Sequence, residues 1–310
     1  MSYANIIESL KSAFIDISLS LKNGNTTELS NKIGYINKSG DYSNNLDLHS
    51  NEIIKKELMK CHNVWGIASE EDEGIISRFS DEKDCNYFVS FDPLDGSSNV
   101  DCNISVGTIF CIFEAKEGIY PKSGKDIVCA GYCLYSQSTQ LVIANEENVK
   151  ISTLQPHIKS FVNEEVITVP EQGCVYSVNE SNKYKWEKID VEGKKCVYTK
   201  LIDQLIDEKY TMRWVGTMVA DCHRTLIKGG IFAYPADDKK NTGKIRLVYE
   251  AYPFAYIFMR AGGFSSNGYL NILQLSFPKD IHQKTSVLLS SKKEFFQFTN
   301  ISNSFYENDT

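Results

Sequence analysis

No apolar run in the 310-residue chain approaches the length of a membrane span, so a helical membrane protein is not expected. No Lys/Arg-rich run exists either. With 33 basic against 40 acidic side chains the formal charge is −7, which repels a phosphodiester backbone and argues against nucleic acid as a partner. The N-terminal stretch carries Glu8 early and lacks a basic segment followed by an apolar core. It does not read as a signal peptide, and a cytoplasmic location is expected. Internal repeats and low-complexity tracts are absent.

The nine cysteines (Cys61, Cys85, Cys102, Cys111, Cys129, Cys133, Cys174, Cys196 and Cys222) include no C-x-x-C pair. Several lie in apolar runs such as Val128–Cys133, where buried free thiol is the expected state, and a reducing compartment fits. The five histidines (His49, His62, His157, His223 and His282) lack zinc-ligand spacing, so a structural zinc site is not expected.

What is present is an ordinary globular composition, 42% hydrophobic and 24% charged, in a chain long enough for two modest domains. Ile6, Ile7, Leu10 and Phe14 recur at helical spacing and predict a helix over Ile6–Leu21; Asp47–Met59 predicts another. Strand-like runs follow at Val64–Ala68, Tyr87–Phe91, Val106–Phe113, Val128–Leu134 and Gln140–Ala144. Ser152–Gln172, with Pro156, Pro170 and weak periodicity, is the candidate domain boundary. Beyond it come helical patterns near Lys200–Asp207 and Gly216–Ile227 and a strand at Ile231–Ala233. The apolar run Ile245–Glu250 then leads into a helix that Gly262–Gly263 would end. This alternation makes the chain α/β or α+β.

The sharpest local signal is Phe91-Asp92-Pro93-Leu94-Asp95-Gly96-Ser97-Ser98. An apolar strand delivers two carboxylates, and Gly96 permits a tight turn whose N–H groups can face an anion. Mg²⁺ takes oxygen ligands, commonly one or two carboxylates with waters and a substrate phosphate. Taken alone, such a turn also occurs without any chemistry. Glu70-Glu71-Asp72 after Val64–Ala68 reads by itself as a solvated charge cluster, and Glu250 after Ile245–Tyr249 as a surface or capping residue. Read as three acidic strand ends converging on one sheet edge, they make a multi-metal site plausible.

Asp92–Phe110 closely resembles the signature of class I fructose-1,6-bisphosphatases, as do Ser69–Glu73, Arg213–Phe232 and Gly243–Gly263. The short D-P-x-D-G-[ST] core is shared with inositol phosphatases, so the longer blocks carry the narrower match. The resemblance implies a layered α/β/α/β/α sugar phosphatase fold. An N-terminal domain, residues 1–168, carries most metal ligands, and a C-terminal sugar-phosphate domain covers residues 169–310. It implies Mg²⁺, with Mn²⁺ as a substitute, at two or more ions per subunit. Metal ligands are then Glu70, Glu71, Asp92, Asp95, Glu250 and the Leu94 carbonyl, with Asp47 and Glu71 handling the proton of the attacking water. Asp95, Gly96, Ser97 and Ser98 hold the phosphate being cleaved. Asn179, Arg213, Trp214, Tyr234 and Lys244 grip the distal phosphate, Arg213 reaching in from a neighbouring subunit of a homotetramer. Gly216 and Met218 contact the sugar, Arg246 supports the metals from behind, and His223 and Arg224 take no catalytic role.

The implied reaction is hydrolysis of the 1-phosphate of fructose 1,6-bisphosphate in gluconeogenesis. Several positions depart from the family pattern. The N-terminal segment is shorter than in AMP-inhibited relatives. Asn86 stands where a lysine precedes Tyr87, and Glu114 where an arginine follows the next strand; losing one cation and reversing another repels a nucleotide phosphate, so AMP inhibition is not expected. The Glu114–Val128 connection is too short for a thioredoxin-controlled insertion. Trp214 and Asn182 replace two tyrosines of the distal pocket, and Tyr184 could supply the missing hydroxyl. Sedoheptulose 1,7-bisphosphate therefore stays a competing substrate. A catalytically silent sugar-phosphate sensor or scaffold is the alternative from another class.

Overall fold

The computed structural model describes residues 2–23, 32–36, 42–77, 86–116, 118–186, 197–237 and 242–306. Helix α1 (Ala4–Asn23), a hairpin of β1 (Lys32–Ile36) and β2 (Tyr42–Asn44), and helix α2 (Asn45–Leu58) come first. An eight-stranded sheet follows: β3 (Val64–Ser69), β4 (Ile76–Ser77), β5 (Tyr87–Asp95), β6 (Val106–Glu114), β7 (Ile127–Tyr135), β8 (Thr139–Ala144), β9 (Val149–Gln155) and β10 (Ser160–Val166). Its order is β10-β9-β8-β7-β6-β5-β3-β4, antiparallel except where β3 runs parallel to β5.

A five-stranded sheet of order β12-β11-β13-β17-β15 joins β11 (Val175–Ser177), β12 (Thr211–Met212), β13 (Ile231–Tyr234), β15 (Phe264–Ser266) and β17 (Val287–Ser290). Strands β14 (Ile245–Arg246) and β16 (Lys284–Thr285) pair separately. The remaining α-helices among the described residues are α3 (Lys183–Trp186), α4 (Val197–Asp207), α5 (Met218–Lys228), α6 (Tyr252–Arg260) and α7 (Lys292–Tyr306).

Side-chain alternation along the strands stacks these elements into α/β/α/β/α layers. On β6, Phe110 and Ile112 pack with α1 residues such as Leu10 and Phe14, whereas Ile109, Cys111 and Phe113 point to the opposite face. That face meets α5 and α6, through Val219, Cys222, Tyr252 and Phe254. The same two helices receive Phe232, Val287 and Leu289 from the smaller sheet, while Ile231, Ala233 and Leu288 turn outward onto α4 and Phe298 of α7. Strands buried on both faces have no solvated side to alternate with, which is why the runs Tyr87–Phe91 and Gly107–Phe113 are almost wholly apolar. No helix among the described residues is long and apolar enough to cross a membrane.

One segment carries more structure than the sequence shows, and one differs from the sequence expectation. Residues within Ser152–Gln172 form the hairpin β9–β10, with Ser160 opposite Gln155 and Pro156 in its turn, so the large sheet runs to Val166. Strand β10 is a sheet edge with largely exposed side chains, so it has no apolar face to leave a period-2 trace. The second is Glu250. It ends no strand: after the two residues of β14, Leu247–Ala251 wind into a π-helical turn that runs straight into α6. All five residues of that turn are buried, so the apolar run carries no period that separates strand from helix.

Candidate active site

Strand register brings the acidic residues together. Ser69 of β3 pairs with Phe91 of β5, so Glu70 and Asp92, the next residue on each strand, lie side by side. The Glu70 N–H donates to the Phe91 carbonyl at 3.3 Å. The π-turn is fastened to the same strand by the Ser90 hydroxyl, which donates to the Val248 carbonyl at 2.9 Å. Carboxylate oxygens of Asp92, Asp95 and Glu250 thereby fall within 4.8 Å of one another. Each is aimed by a backbone donor: Leu94 N–H to Asp92 Oδ1 at 2.9 Å, Val219 N–H to Asp95 Oδ2 at 2.7 Å, and Arg246 N–H to Glu250 Oε2 at 2.6 Å.

Arg246 is the cation beside them, with Nη2 at 2.6 Å from Glu70 Oε1 and Nη1 at 3.8 Å from Glu250 Oε2. It does not balance the cluster. Burial, then the charges of Glu70, Asp95 and Glu250, hold the Asp92 carboxyl far above the usual range. Burial likewise pushes Asp95 up to about 7, against the Val219 N–H, and Glu250 up to about 8, against Arg246. Crowded carboxylates that resist ionisation, offering only oxygen ligands, fit a hard divalent cation.

The bend beside them is fixed sterically. Gly96 has φ +77°, and a Cβ there would sit 2.5 Å from Thr217 Oγ1. That hydroxyl accepts from Asn99 Nδ2 at 2.6 Å and donates to the Ser105 carbonyl at 2.9 Å, tying the 3₁₀ turn Ser97–Asn99 to the start of α5. Ser98 is exposed and Ser97 half-buried, so both face accessible space.

A second group of candidates follows the ends of the parallel strands β11, β12 and β13: Asn179, Arg213–Met218 and Tyr234. Half-buried Trp214 stacks on Phe232 at 6.3 Å and 7°, and its ring lies 6.0 Å from Tyr234. Lys244 Nζ lies over the Tyr234 ring, 6.0 Å from its centroid. The frame behind them is Asp221, fully buried, which accepts from the Val215 and Gly216 N–H groups. Arg224 pairs with Asp221 and donates to Ser177 Oγ at 2.7 Å and to the Arg213 carbonyl at 2.9 Å. Arg213 itself is exposed, and its guanidinium donates to the Met212 carbonyl at 3.1 Å.

With this geometry in place, comparison with known proteins is decisive. A model of the fructose-1-6-bisphosphatase N-terminal domain matches residues 2–165, and one of the C-terminal domain matches residues 169–303. The chain belongs to the fructose-1,6-bisphosphatase family. It is 43% identical over 269 residues to the class 1 fructose-1,6-bisphosphatase of Persephonella marina, covering 85% of this chain and 81% of that one. Fructose-1,6-bisphosphatase 1 of Bos taurus is 37% identical over 305 residues, 96% of this chain and 88% of its own. The holo form of Leishmania major fructose-1,6-bisphosphatase superposes with a TM-score of 0.89 at 33% identity, covering 97% and 94%.

Within this fructose-1,6-bisphosphatase fold the expected residues do not all converge equally. Asp92, Asp95 and Glu250 form the tight cluster; Glu70 adjoins it through Arg246; Glu71, half-buried beyond Glu70, lies outside the cluster, its N–H donating to Ser69 Oγ at 3.3 Å. Leu94 is buried between Asp92 and Asp95. Asp47 is buried in the first turn of α2, one turn before Asn51, which reaches the acidic loop at Asp72. Met218 is buried at the start of α5, and Gly216, at φ +88°, is exposed. At the replaced position Asn182 the side-chain carbonyl accepts from Lys185 Nζ, and Tyr184, the alternative hydroxyl, is exposed beneath the same ammonium. Sequence reasoning passed over Val219, Thr217 and Asp221. The Asp221–Arg224 spacing on a helix was the available sign of an ion pair.

Proposed function

We propose that this protein hydrolyses the 1-phosphate of fructose 1,6-bisphosphate, releasing fructose 6-phosphate and phosphate, with Mg²⁺ or Mn²⁺ at two or more positions per subunit. The observation that carries the reading is the Asp92–Asp95–Glu250 cluster set against the Gly96–Ser98 bend. Divalent cations at such a cluster neutralise the phosphoryl group and acidify water. Asp92, Asp95 and Glu250, joined by Glu70, Glu71 and the Leu94 carbonyl, hold the ions, and Arg246 keeps Glu70 and Glu250 oriented. Glu71 and Asp47 take the proton of the attacking water. Gly96, Ser97 and Ser98 orient the phosphate that leaves.

Asn179, Trp214, Tyr234 and Lys244 grip the distal phosphate, with Gly216 and Met218 against the sugar. Exposed Arg213 suits a residue that serves a neighbouring subunit, in keeping with a homotetramer. We place the division between metal-bearing and sugar-phosphate domains at 168/169, where the large sheet has ended, and the protein in the cytoplasm. AMP insensitivity belongs to the same reading. Tyr87 and Glu114 are cross-strand partners and Asn86 precedes Tyr87, so the lost and the reversed cation are neighbours.

Steady-state hydrolysis of fructose 1,6-bisphosphate and sedoheptulose 1,7-bisphosphate, each with an AMP titration, tests this. The six-carbon substrate should give the higher kcat/KM, and AMP should not inhibit. A higher value for the seven-carbon sugar reverses the substrate assignment, which the altered Trp214 and Asn182 make worth measuring. Absence of phosphate release with both Mg²⁺ and Mn²⁺ overturns the enzyme reading in favour of a sensor or scaffold.

A further inference from the structure

His282 lies outside the carboxylate cluster, yet it joins two of the segments that build it. Its ring is buried at 8% exposure. Nε2 is 3.0 Å from the main-chain carbonyl of Asp72, and Nδ1 is 2.8 Å from the hydroxyl of Tyr249. A carbonyl can only accept, so Nε2 carries the proton; in the neutral ring Nδ1 then accepts from the Tyr249 O–H. Burial keeps the ring neutral by lowering its pKa.

Both partners adjoin acidic residues of the site. Asp72 directly follows Glu71, and Tyr249 directly precedes Glu250 in the π-turn. The far side of Asp72 is held as well: its Oδ1 accepts from Asn51 Nδ2 at 3.1 Å and Lys55 Nζ at 3.0 Å, both on α2, whose first turn carries Asp47. His282 is itself anchored, its N–H donating to Asp280 Oδ1 at 2.9 Å and the adjoining Gln283 carbonyl accepting the Leu247 N–H at 2.8 Å. Asn51/Lys55, Asp72, His282 and Tyr249 thus form one hydrogen-bonded chain across the helix of Asp47, the loop of Glu70 and Glu71, and the turn of Glu250. Those three segments are remote in sequence; in this hydrogen-bonded series His282 joins loop to turn, alongside the Arg246 pairs to Glu70 and Glu250.

We propose that His282 is a positioning residue for the metal site, setting the distance between the Glu70–Glu71 loop and the Glu250 turn through its two ring hydrogen bonds. The inference rests on the function proposed above and deepens it: the affinity for divalent cations depends on a residue that contacts neither cation nor substrate. Groups that orient metal ligands from outside typically change affinity by about 10–100-fold when removed. His282 acts one residue further out, so the low end applies.

The test uses full-length protein and Mn²⁺ as the probe, with binding followed by the loss of the free-ion electron paramagnetic resonance signal, beside kcat and KM. His282→Phe should weaken Mn²⁺ binding about tenfold and lower kcat more than it raises the KM for the sugar bisphosphate. His282→Gln, whose amide nitrogen reaches the place of Nε2, should recover most of the loss, whereas His282→Asn should not. Tyr249→Phe removes one hydroxyl from a ring that stays packed, and should show a smaller weakening even if His282→Phe fails to fold. An unchanged Mn²⁺ isotherm in Tyr249→Phe, together with no difference between the Gln and Asn variants, overturns the inference while leaving the function intact. Failure of the unaltered protein to bind Mn²⁺ overturns both.

Discussion

The two ends of the candidate site are built in opposite ways. At the carboxylate end the side chains are mostly buried, each aimed by a backbone N–H, and the acidic groups outnumber the neighbouring Arg246. At the end proposed for the sugar phosphate Lys244 and Arg213 are exposed, Trp214 and Tyr234 half-buried, and buried Asp221, paired with half-buried Arg224, fixes the backbone beneath them. One end needs cations before it can hold a phosphate; the other attracts one unaided. On the proposed reading a molecule with two phosphates meets two unlike ends, and its orientation follows from charge before any contact is optimised. This is why, on that reading, binding energy is collected at the distal phosphate and spent at the reacting one.

The largest effect should come from breaking the buried end. Asp92→Asn removes one charge from the cluster and should lower kcat by about 10²–10³-fold, the range seen when one strong electrostatic contributor to a transition state is lost. Without metal, burial and the neighbouring carboxylates already disfavour the ionised form of Asp92, so the metal-free variant, with a neutral amide there, should melt no lower than the unaltered protein. Steady-state assays with Mg²⁺ and thermal melts in EDTA check the two halves. Substantial activity retained with Mg²⁺ would sink the assignment of Asp92. A loss of both activity and metal-free stability would mean that the residue serves the fold.

Removing a cation from the exposed end should cost less and differently. Lys244→Ala should reduce kcat/KM by about 10–150-fold, from about 1.5–3 kcal/mol for a hydrogen bond to a charged group. KM should carry the larger share, and the thermal midpoint should not move, because Lys244 is exposed. If kcat alone fell, the lysine would belong with the reacting phosphate, and the contrast between the ends would be drawn in the wrong place.

That contrast also explains what the sequence disclosed. Helices α1 and α2 and strands β5 to β8 were legible because two-sided burial and helical spacing leave long apolar patterns, and the layered architecture follows from the family those patterns sit in. Asp92, Asp95 and Gly96 were legible because their arrangement is local: one strand end and one turn. Glu250 was named from resemblance, but its setting was misjudged as a strand end, since the π-turn is buried all round. The hairpin β9–β10 left no trace because its outer strand faces solvent. Asp221 holds N–H groups only five and six residues back, and its i+3 pairing with Arg224 shows in the sequence; His282 and Tyr249 act through partners far away in the chain, the Asp72 carbonyl and each other. Nothing in their immediate neighbours announces that, and only the fold supplies the partner.

The smallest expected effect is the most direct reading of the buried end's charge. In the metal-free protein burial pushes Asp95 up to about 7 and Glu250 up to about 8, so the folded chain holds protons that the unfolded chain has released. Stability from these groups is complete below their unfolded pKa values and is lost as pH rises through 7 and 8. His223, lowered to about 4 by burial, and His282, also lowered, act in the opposite sense only where an unfolded histidine still binds a proton, below about 6.5. Between pH 6.5 and 8.5 the carboxylates therefore dominate this balance. Each retained proton contributes a slope of about 1.4 kcal/mol per pH unit. Thermal midpoints in EDTA should fall by a few degrees across that interval. Saturating Mg²⁺ should flatten or reverse the trend, because an ion displaces the same protons and binds better as they leave. An EDTA midpoint that stayed level or rose would mean that the three carboxylates are not crowded together without metal, and that the two ends differ less than their geometry indicates.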